Sequence, residues 1–251
     1  MPDRQLLWFS AGAASAVAAK LVLAEKHDNV VVAYVDTGAE HEDNKRFIAE
    51  CEEWFGSTIV MLKSDKYLDT WDVWEKTKFL VSPQGARCTT ELKKKVRRTF
   101  EQPGDIQTFG YTVEEQHRAD RFREQNPEIN LRTPLIEHGL NKQDCLAMIS
   151  RAGIEIPTMY KLGYSNNNCI GCPKGGMGYW NKIRVDFPDT FQRMAELERT
   201  LNVSVLRSGG KGLFLDELDP NRGNHATEAS FECSMFCQLA EDNIKENDVK
   251  G

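Results

Sequence analysis

Two successive strand, turn and helix units open the chain, and they constrain its fold more than any other feature. An apolar run over residues 5–10 leads into a turn of small residues at 11–15 and then into helix-forming sequence over 16–25. A second apolar run at 29–34 is followed by a polar helix predicted from about residue 42 to 55. Such units predict an α/β fold with a doubly wound, mostly parallel sheet, helices on both faces, and a ligand at the carboxyl ends of the strands.

The rest of the chain supplies further elements of the same kind. Strands are predicted at 58–62 and 105–111, and helices at 91–100, 114–123, 142–152 and 180–201, the last with a break near Pro188. Residues 132–136 are predicted as an edge strand because proline lacks the ladder donor. We expect a nucleotide-binding α/β domain over 1–160, a mainly helical, cysteine-containing extension over 161–240 and a flexible tail over 241–251.

Composition narrows the class of protein. No apolar run approaches the roughly 18 residues of a membrane span, so no membrane partner is expected. The location expected is cytoplasmic, where seven cysteines are reduced thiols, ligands or nucleophiles rather than disulfides. A net charge of -6 argues against a protein with the generally basic surface that binds nucleic acid. An oligomer remains possible.

A loop rich in glycine, asparagine and proline carries Cys169 and Cys172. Two thiols in such an irregular segment favour ligation, and they supply half of a tetrathiolate site. The candidates for the remaining ligands are Cys88, Cys233 and Cys237. Ligand softness does not decide between zinc and an iron–sulfur cluster. The other two cysteines lie in predicted amphipathic helices and are interpreted as core residues: Cys51 and Cys145.

The turn after the first strand has two interpretations. It is either an ordinary glycine-bearing turn or a phosphate-binding one, in which the N–H groups of a helix N-terminus face an anion. It lacks the lysine of a P-loop. Asp36 and Thr37, after the second strand, could reach a ribose or an adenine.

Several collinear motifs resemble one family. They are Ser10-x-Gly12-x-x-Ser15, Asp36-Thr37-Gly38, Gly110-x-x-x-Glu114-x-x-x-Arg118, Pro134-Leu135-Ile136-Glu137, Gly163-Tyr164-Ser165 and Cys169-x-x-Cys172. Together, over roughly 6–176, they resemble the phosphoadenosine phosphosulfate (PAPS) reductase family of the PP-loop, adenine-nucleotide hydrolase-like superfamily. ATP pyrophosphatases of that superfamily carry an Asp where this chain has Ala14, and the reductase-like loop fits better.

The resemblance implies a Rossmann-like sheet that binds an adenine nucleotide: ATP, adenosine phosphosulfate (APS) or PAPS. The residues matching its nucleotide-binding motifs are Ser10, Gly12, Ser15, Asp36, Thr37, Gly38 and Arg118. It also implies sulfur or redox chemistry, with Cys233 as the nucleophile and a thiol as the reductant. The metal ligands would be Cys88, Cys169, Cys172 and Cys237, holding zinc or a 4Fe-4S cluster.

Two alternatives stay open. The basic run from Lys93 to Arg98 is by default a solvated helix face, but with Lys174 it could attract an anion, and Lys93 and Lys174 are the candidate anion-binding residues. With a nucleic-acid partner, the protein would be an enzyme that transfers sulfur or another group onto tRNA or DNA. The other alternative is a non-catalytic nucleotide-binding accessory protein with structural zinc.

Overall fold

A computed structural model describes residues 4–82 and 85–228 of the chain. The strands are β1 Gln5–Phe9, β2 Val30–Val35, β3 Ile59–Leu62, β4 Val81–Ser82, β5 Gly85–Ala86, β6 Ile106–Thr108, β7 Asn130–Arg132, β8 Leu206–Ser208 and β9 Lys211–Leu213. The α-helices are α1 Ala13–Ala24, α2 Asn44–Phe55, α3 Thr70–Thr77, α4 Lys95–Phe100, α5 Gln116–Gln125, α6 Pro134–Glu137, α7 Lys142–Arg151, α8 Thr158–Lys161, α9 Met177–Asp186 and α10 Pro188–Leu201. A π-helix covers Thr89–Lys94, and 3-10 turns cover Val113–Glu115 and Leu215–Glu217.

Five strands form one parallel sheet in the order β3-β2-β1-β6-β7. All five residues of the central strand β1 are buried, as expected for a strand covered on both faces. The order of the strands reverses at β1, which makes its carboxyl end the place where such sheets bind ligands. The predicted α/β, Rossmann-like fold is confirmed.

The chain divides into two compact units, each discontinuous in sequence. Within the described residues, the first comprises 4–36, 41–63 and 96–167, and the second comprises 37–40, 64–82, 85–95 and 168–228. The sheet belongs to the first unit. The domain boundaries predicted near residues 160 and 240 stay predictions.

The core of the first unit packs α1 and α2 against the sheet and α7 against α1. Phe9 lies at its centre, with its ring centroid 5.9 to 6.3 Å from those of Tyr34, Phe47 and Phe55. Cys51 and Cys145 are fully buried here, and burial raises the pKa of each thiol to about 12. Their predicted role as core residues is confirmed.

The second unit has a helical core with two short hairpins, β4–β5 and β8–β9. Trp74 and Trp180 are almost completely buried, and Trp180 packs edge-on against Phe191 at 6.3 Å. Throughout the described part of the chain, no helix is long and apolar enough to cross a membrane.

Two predicted elements need correction. Strand β7 ends at Arg132, and Pro134 begins helix α6 instead of continuing an edge strand, because proline suits the first helical turn. The break predicted near Pro188 is confirmed, since α9 ends at Asp186 and Pro188 begins α10. The helix predicted over 91–100 starts as a π-helix.

Candidate functional site

The loop between β1 and α1 is held together by serine hydroxyls. Ser15 Oγ donates to the Gly12 carbonyl at 3.0 Å and accepts the Ser10 N–H at 3.0 Å. The two hydroxyl oxygens, Ser10 Oγ and Ser15 Oγ, lie 3.1 Å apart. Ser15 is buried whereas Ser10 is exposed. The structure therefore brings these two predicted residues together, with Ser15 bracing the loop and Ser10 facing outward.

The N-terminus of α1 faces this loop. Gly12 is its N-cap and has no side chain with which to cap the helix. The first N–H groups of a helix carry a partial positive charge and lack partners within the helix. Tyr160 Oη accepts the Ala13 N–H at a long 3.4 Å. This end of α1 can therefore receive an anion.

Gly110 lets the chain after β6 approach the start of α1. A Cβ atom at Gly110 would lie 2.8 Å from both the Cα and the N of Ser15. No side chain fits such a contact with backbone, and this explains physically why the motif carries glycine there.

Sequence reasoning missed two buried asparagines beside the loop. Asn167 Nδ2 donates to the Ala11 carbonyl at 2.7 Å and to Asn44 Oδ1 at 2.7 Å. Asn167 is 7% exposed and Asn44 is 4% exposed. The only sequence signal was the polar run before the cysteine pair, which does not say which of its asparagines turns inward.

Two other predicted residues of the first unit are held by ion pairs. Asp36, directly after β2, accepts from Lys63 at 2.6 Å, and sequence reasoning did not find Lys63. Arg118 forms an ion pair with Glu115 and lies 5.0 Å from the centroid of the Tyr111 ring. Both are polar and partly exposed, and their nucleotide-binding roles stay predictions.

In the second unit, Thr37 and Glu40 surround the thiol of Cys169. Thr37 Oγ1 donates to Glu40 Oε1 at 2.6 Å and lies 3.1 Å from Cys169 Sγ. The thiol is also 3.7 Å from Glu40 Oε1. Burial, reinforced by the Glu40 carboxylate and opposed by the Lys93 ammonium, raises the pKa of Cys169 well above its usual value. Cys169 is therefore a neutral thiol in this arrangement.

Two glycines shape the segments around this thiol. Gly38 has a φ of +68°, and a Cβ there would lie 2.8 Å from Asp69 Cβ. Ile170 N–H donates to the Ala39 carbonyl at 2.8 Å, which joins the two segments. Gly171 has a φ of +75° and faces Thr190. The tight turn between the two cysteines therefore depends on glycine.

Tyr179 fastens the cysteine loop to α9. Its hydroxyl accepts the N–H groups of Gly171 and Cys172, each at 3.0 Å, and donates to the Cys169 carbonyl at 3.3 Å. Its ring also fills the space beside Gly175, where a Cβ would lie 1.9 Å from Tyr179 Cδ1. The backbone of the loop is thus fixed by one buried side chain.

Cys88 precedes the π-helix and is buried. In that helix Glu91 forms an ion pair with Arg87 at 3.0 Å and accepts a hydrogen bond from Lys95 at 2.8 Å. Lys94 is 1% exposed and Arg97 is 5% exposed. The expectation that residues 93–98 form a solvated face is wrong for these two, since the helix turns them inward. Lys93 and Lys174 are half-buried, and their anion-binding roles stay predictions.

The donor set for a metal is incomplete within residues 4–82 and 85–228. No group of three or more His, Cys, Asp or Glu side chains there could hold a metal ion. Cys233 and Cys237 lie outside the described residues, so the tetrathiolate centre and the Cys233 nucleophile stay predictions.

Comparison with known proteins gives the lineage. The model of the phosphoadenosine phosphosulfate reductase domain matches residues 4–175, more than half of the chain. The chain belongs to the PAPS reductase family. This match includes both the α1 loop and the cysteine pair.

One curated relative of this PAPS reductase family member matches most of the chain. It is the uncharacterised protein MJ0066 of Methanocaldococcus jannaschii, 25% identical over 203 residues. The match covers 76% of this chain but only 40% of that protein. The chain thus spans less than half the length of this relative.

Proposed function

We propose that this protein is a sulfonucleotide-handling enzyme that binds an adenine nucleotide such as APS or PAPS and transfers its sulfur group to a cysteine thiol. The observation that carries the proposal is the N-terminus of α1, which lies at the carboxyl end of the central strand and begins at a glycine N-cap that supplies no side-chain hydrogen bond. An anionic group bound there is stabilised by backbone N–H groups and by the helix dipole.

The proposed reaction needs a nucleophilic thiol. The Cys233 thiolate attacks the sulfur of the sulfonucleotide, the S–O bond to the phosphate breaks, and the adenosine phosphate leaves with the bonding electron pair. The product on the protein is a cysteine thiosulfonate, which a second thiol then reduces by forming a disulfide and releasing sulfite. Cys169 is a poor nucleophile because its pKa is raised by burial and by Glu40.

The described residues do not favour either alternative, an enzyme that modifies nucleic acid or a non-catalytic accessory protein. Lys94 and Arg97 are buried, and Lys95 pairs with Glu91, which leaves the basic run a weak platform for a nucleic-acid backbone. We therefore derive no role in nucleic-acid modification.

The test combines binding, turnover and metal content. Binding of APS, PAPS and AMP is measured by calorimetry, and sulfite release is measured with a dithiol reductant. Gly12→Val should abolish binding, because a side chain at Gly12 would meet Tyr160 Oη, 3.1 Å from the Cβ position. Cys233→Ser should bind the nucleotide and release no sulfite.

Iron and zinc are measured on the same anaerobic samples. Stoichiometric metal that is lost in a Cys169→Ala, Cys172→Ala double variant would support the tetrathiolate prediction. Wild-type protein that binds none of the three nucleotides at millimolar concentration would contradict the proposed function.

A further inference from the structure

The loop before α1 contains an alanine in a conformation that normally belongs to glycine. Ala11 has a φ of +54° and is completely buried. For a residue with a Cβ, the left-handed region is unfavourable by roughly 1–2 kcal/mol. Something in the surrounding structure must therefore hold Ala11 in place.

The Asn167 side chain provides that restraint. Its Nδ2 group donates to the Ala11 carbonyl at 2.7 Å and to Asn44 Oδ1 at 2.7 Å. Because both neighbours are acceptors, only the nitrogen of the Asn167 amide can face them, and its orientation is fixed. Asn44 is the first residue of α2. The loop is thereby tied to α2 through one buried amide.

Each of these two asparagine side chains has one polar atom without a hydrogen-bond partner among the described residues. Asn167 Oδ1 and Asn44 Nδ2 are buried and have no hydrogen-bond partner within residues 4–82 and 85–228. Buried amide groups of this kind require a partner, which here would be a bound ligand or a water molecule. The Asn167 amide borders the loop directly, since its nitrogen donates to the Ala11 carbonyl.

We propose that Asn167, supported by Asn44, is a positioning residue that holds Ala11 in its left-handed conformation and so keeps the N-terminus of α1 open for a phosphate group of the nucleotide. This inference rests on the nucleotide-binding part of the proposed function. Ser10 and Gly12, on either side of Ala11, then acquire the geometry in which the loop receives the anion.

A double-mutant cycle between Asn167 and Ala11 tests the proposal. With Ala11 in place, Asn167→Ala should weaken AMP binding about tenfold, the size expected when one left-handed residue loses its restraint. Glycine adopts a positive φ without a steric penalty. In an Ala11→Gly background the same Asn167→Ala change should therefore weaken binding less than about threefold. The matched control is Asn166→Ala, which should bind AMP like the wild type.

Hydrogen exchange separates this proposal from the function on which it rests. Without any nucleotide, Asn167→Ala should speed amide exchange at residues 12–15, and Ala11→Gly should suppress that effect. If wild-type protein binds no nucleotide, the proposed function fails while the exchange data still judge the restraint. Equal losses in both backgrounds, or no change in either measurement, would overturn it. If Asn167→Ala does not fold, folding and AMP binding of the double variant with Ala11→Gly support the proposal, and their absence contradicts it.

Discussion

At the scale of single residues, buried polar side chains hold segments that have no regular structure of their own. Glu198 on α10 is fully buried, and its carboxyl group accepts hydrogen bonds from two backbone N–H groups outside the helix. It accepts from Val205 at 2.5 Å and from Leu215 at 2.7 Å. Burial raises its pKa to about 7, although these two hydrogen bonds favour the charged form.

This carboxyl group predicts a pH dependence of stability. Because its pKa is about 7 in the folded protein and 4.5 for a glutamate in water, the folded state binds the proton more tightly. Stability should therefore rise as the pH falls from 8 towards 4.5. The contribution is on the order of 2–3 kcal/mol. Urea unfolding at pH 8 and pH 5.5 should show this gain in the wild type and lose it in Glu198→Gln.

The control for Glu198 is Glu196→Gln, an exposed position on the same helix. It should keep the pH dependence of the wild type. An identical pH profile for wild type and Glu198→Gln would show that Glu198 is not the titrating group.

At the scale of elements, the start of α9 is covered by a later segment of the same unit. Glu228 accepts from the N–H groups of Gly178 at 2.6 Å and of Tyr179 at 2.9 Å. Gly178 and Gly223 allow the two backbones to touch, since a Cβ at Gly178 would lie 2.3 Å from the nitrogen of His225. The carboxylate therefore caps α9 from 50 residues away in sequence.

Removing this cap should loosen the covering segment. Glu228→Ala leaves the first turn of α9 without its anionic partner, and we expect a loss of about 1 kcal/mol in unfolding free energy. Tryptic cleavage after Arg222, followed by mass spectrometry, should become several-fold faster. Glu217→Ala, an exposed glutamate paired with Arg199, should cleave like the wild type. Equal cleavage rates in the two variants would show that the Glu228 cap does not hold the covering segment in place.

Elements with a strong local pattern were predictable, and those that depend on remote contacts were not. β1, β2, α1 and α2 follow from apolar runs and helix-forming sequence, and their bounds shift by a few residues at most. The π-helix at Thr89–Lys94 carries no periodicity that distinguishes it from an α-helix. The β8–β9 hairpin was not predicted either, because its flanking residues are held by Glu198, which lies on helix α10.

At the scale of the whole molecule, the site residues come from widely separated parts of the chain. The motifs identified Ser10, Gly12 and Ser15 because a strand, a turn and a helix follow one another in sequence. Asn44, Tyr160 and Asn167 have no such local signature. Only folding brings them together: Asn167 is 156 residues from Ala11 and 123 from Asn44 in sequence, and Tyr160 is 147 residues from Ala13.

A ligand that binds the folded chain alone should raise its melting temperature. A nucleotide at about 100 times its Kd adds about 2.7 kcal/mol, or roughly 5–10 °C for a chain of this length. Thermal scans with APS, AMP and inorganic sulfate should give the largest shift for APS and the smallest for sulfate. The Gly12→Val variant should show no nucleotide-dependent shift in melting temperature. A shift equal to that of the wild type would show that the nucleotide does not bind at this loop.

The left-handed Ala11 also has a consequence for sequence evolution. A single methyl group separates a loop that needs the Asn167 amide from one that does not. Related chains with glycine at the position of Ala11 should therefore tolerate many residues at the position of Asn167, whereas chains with alanine there should retain the amide. The two positions, 156 residues apart, should covary, and an alignment in which they vary independently would count against the restraint.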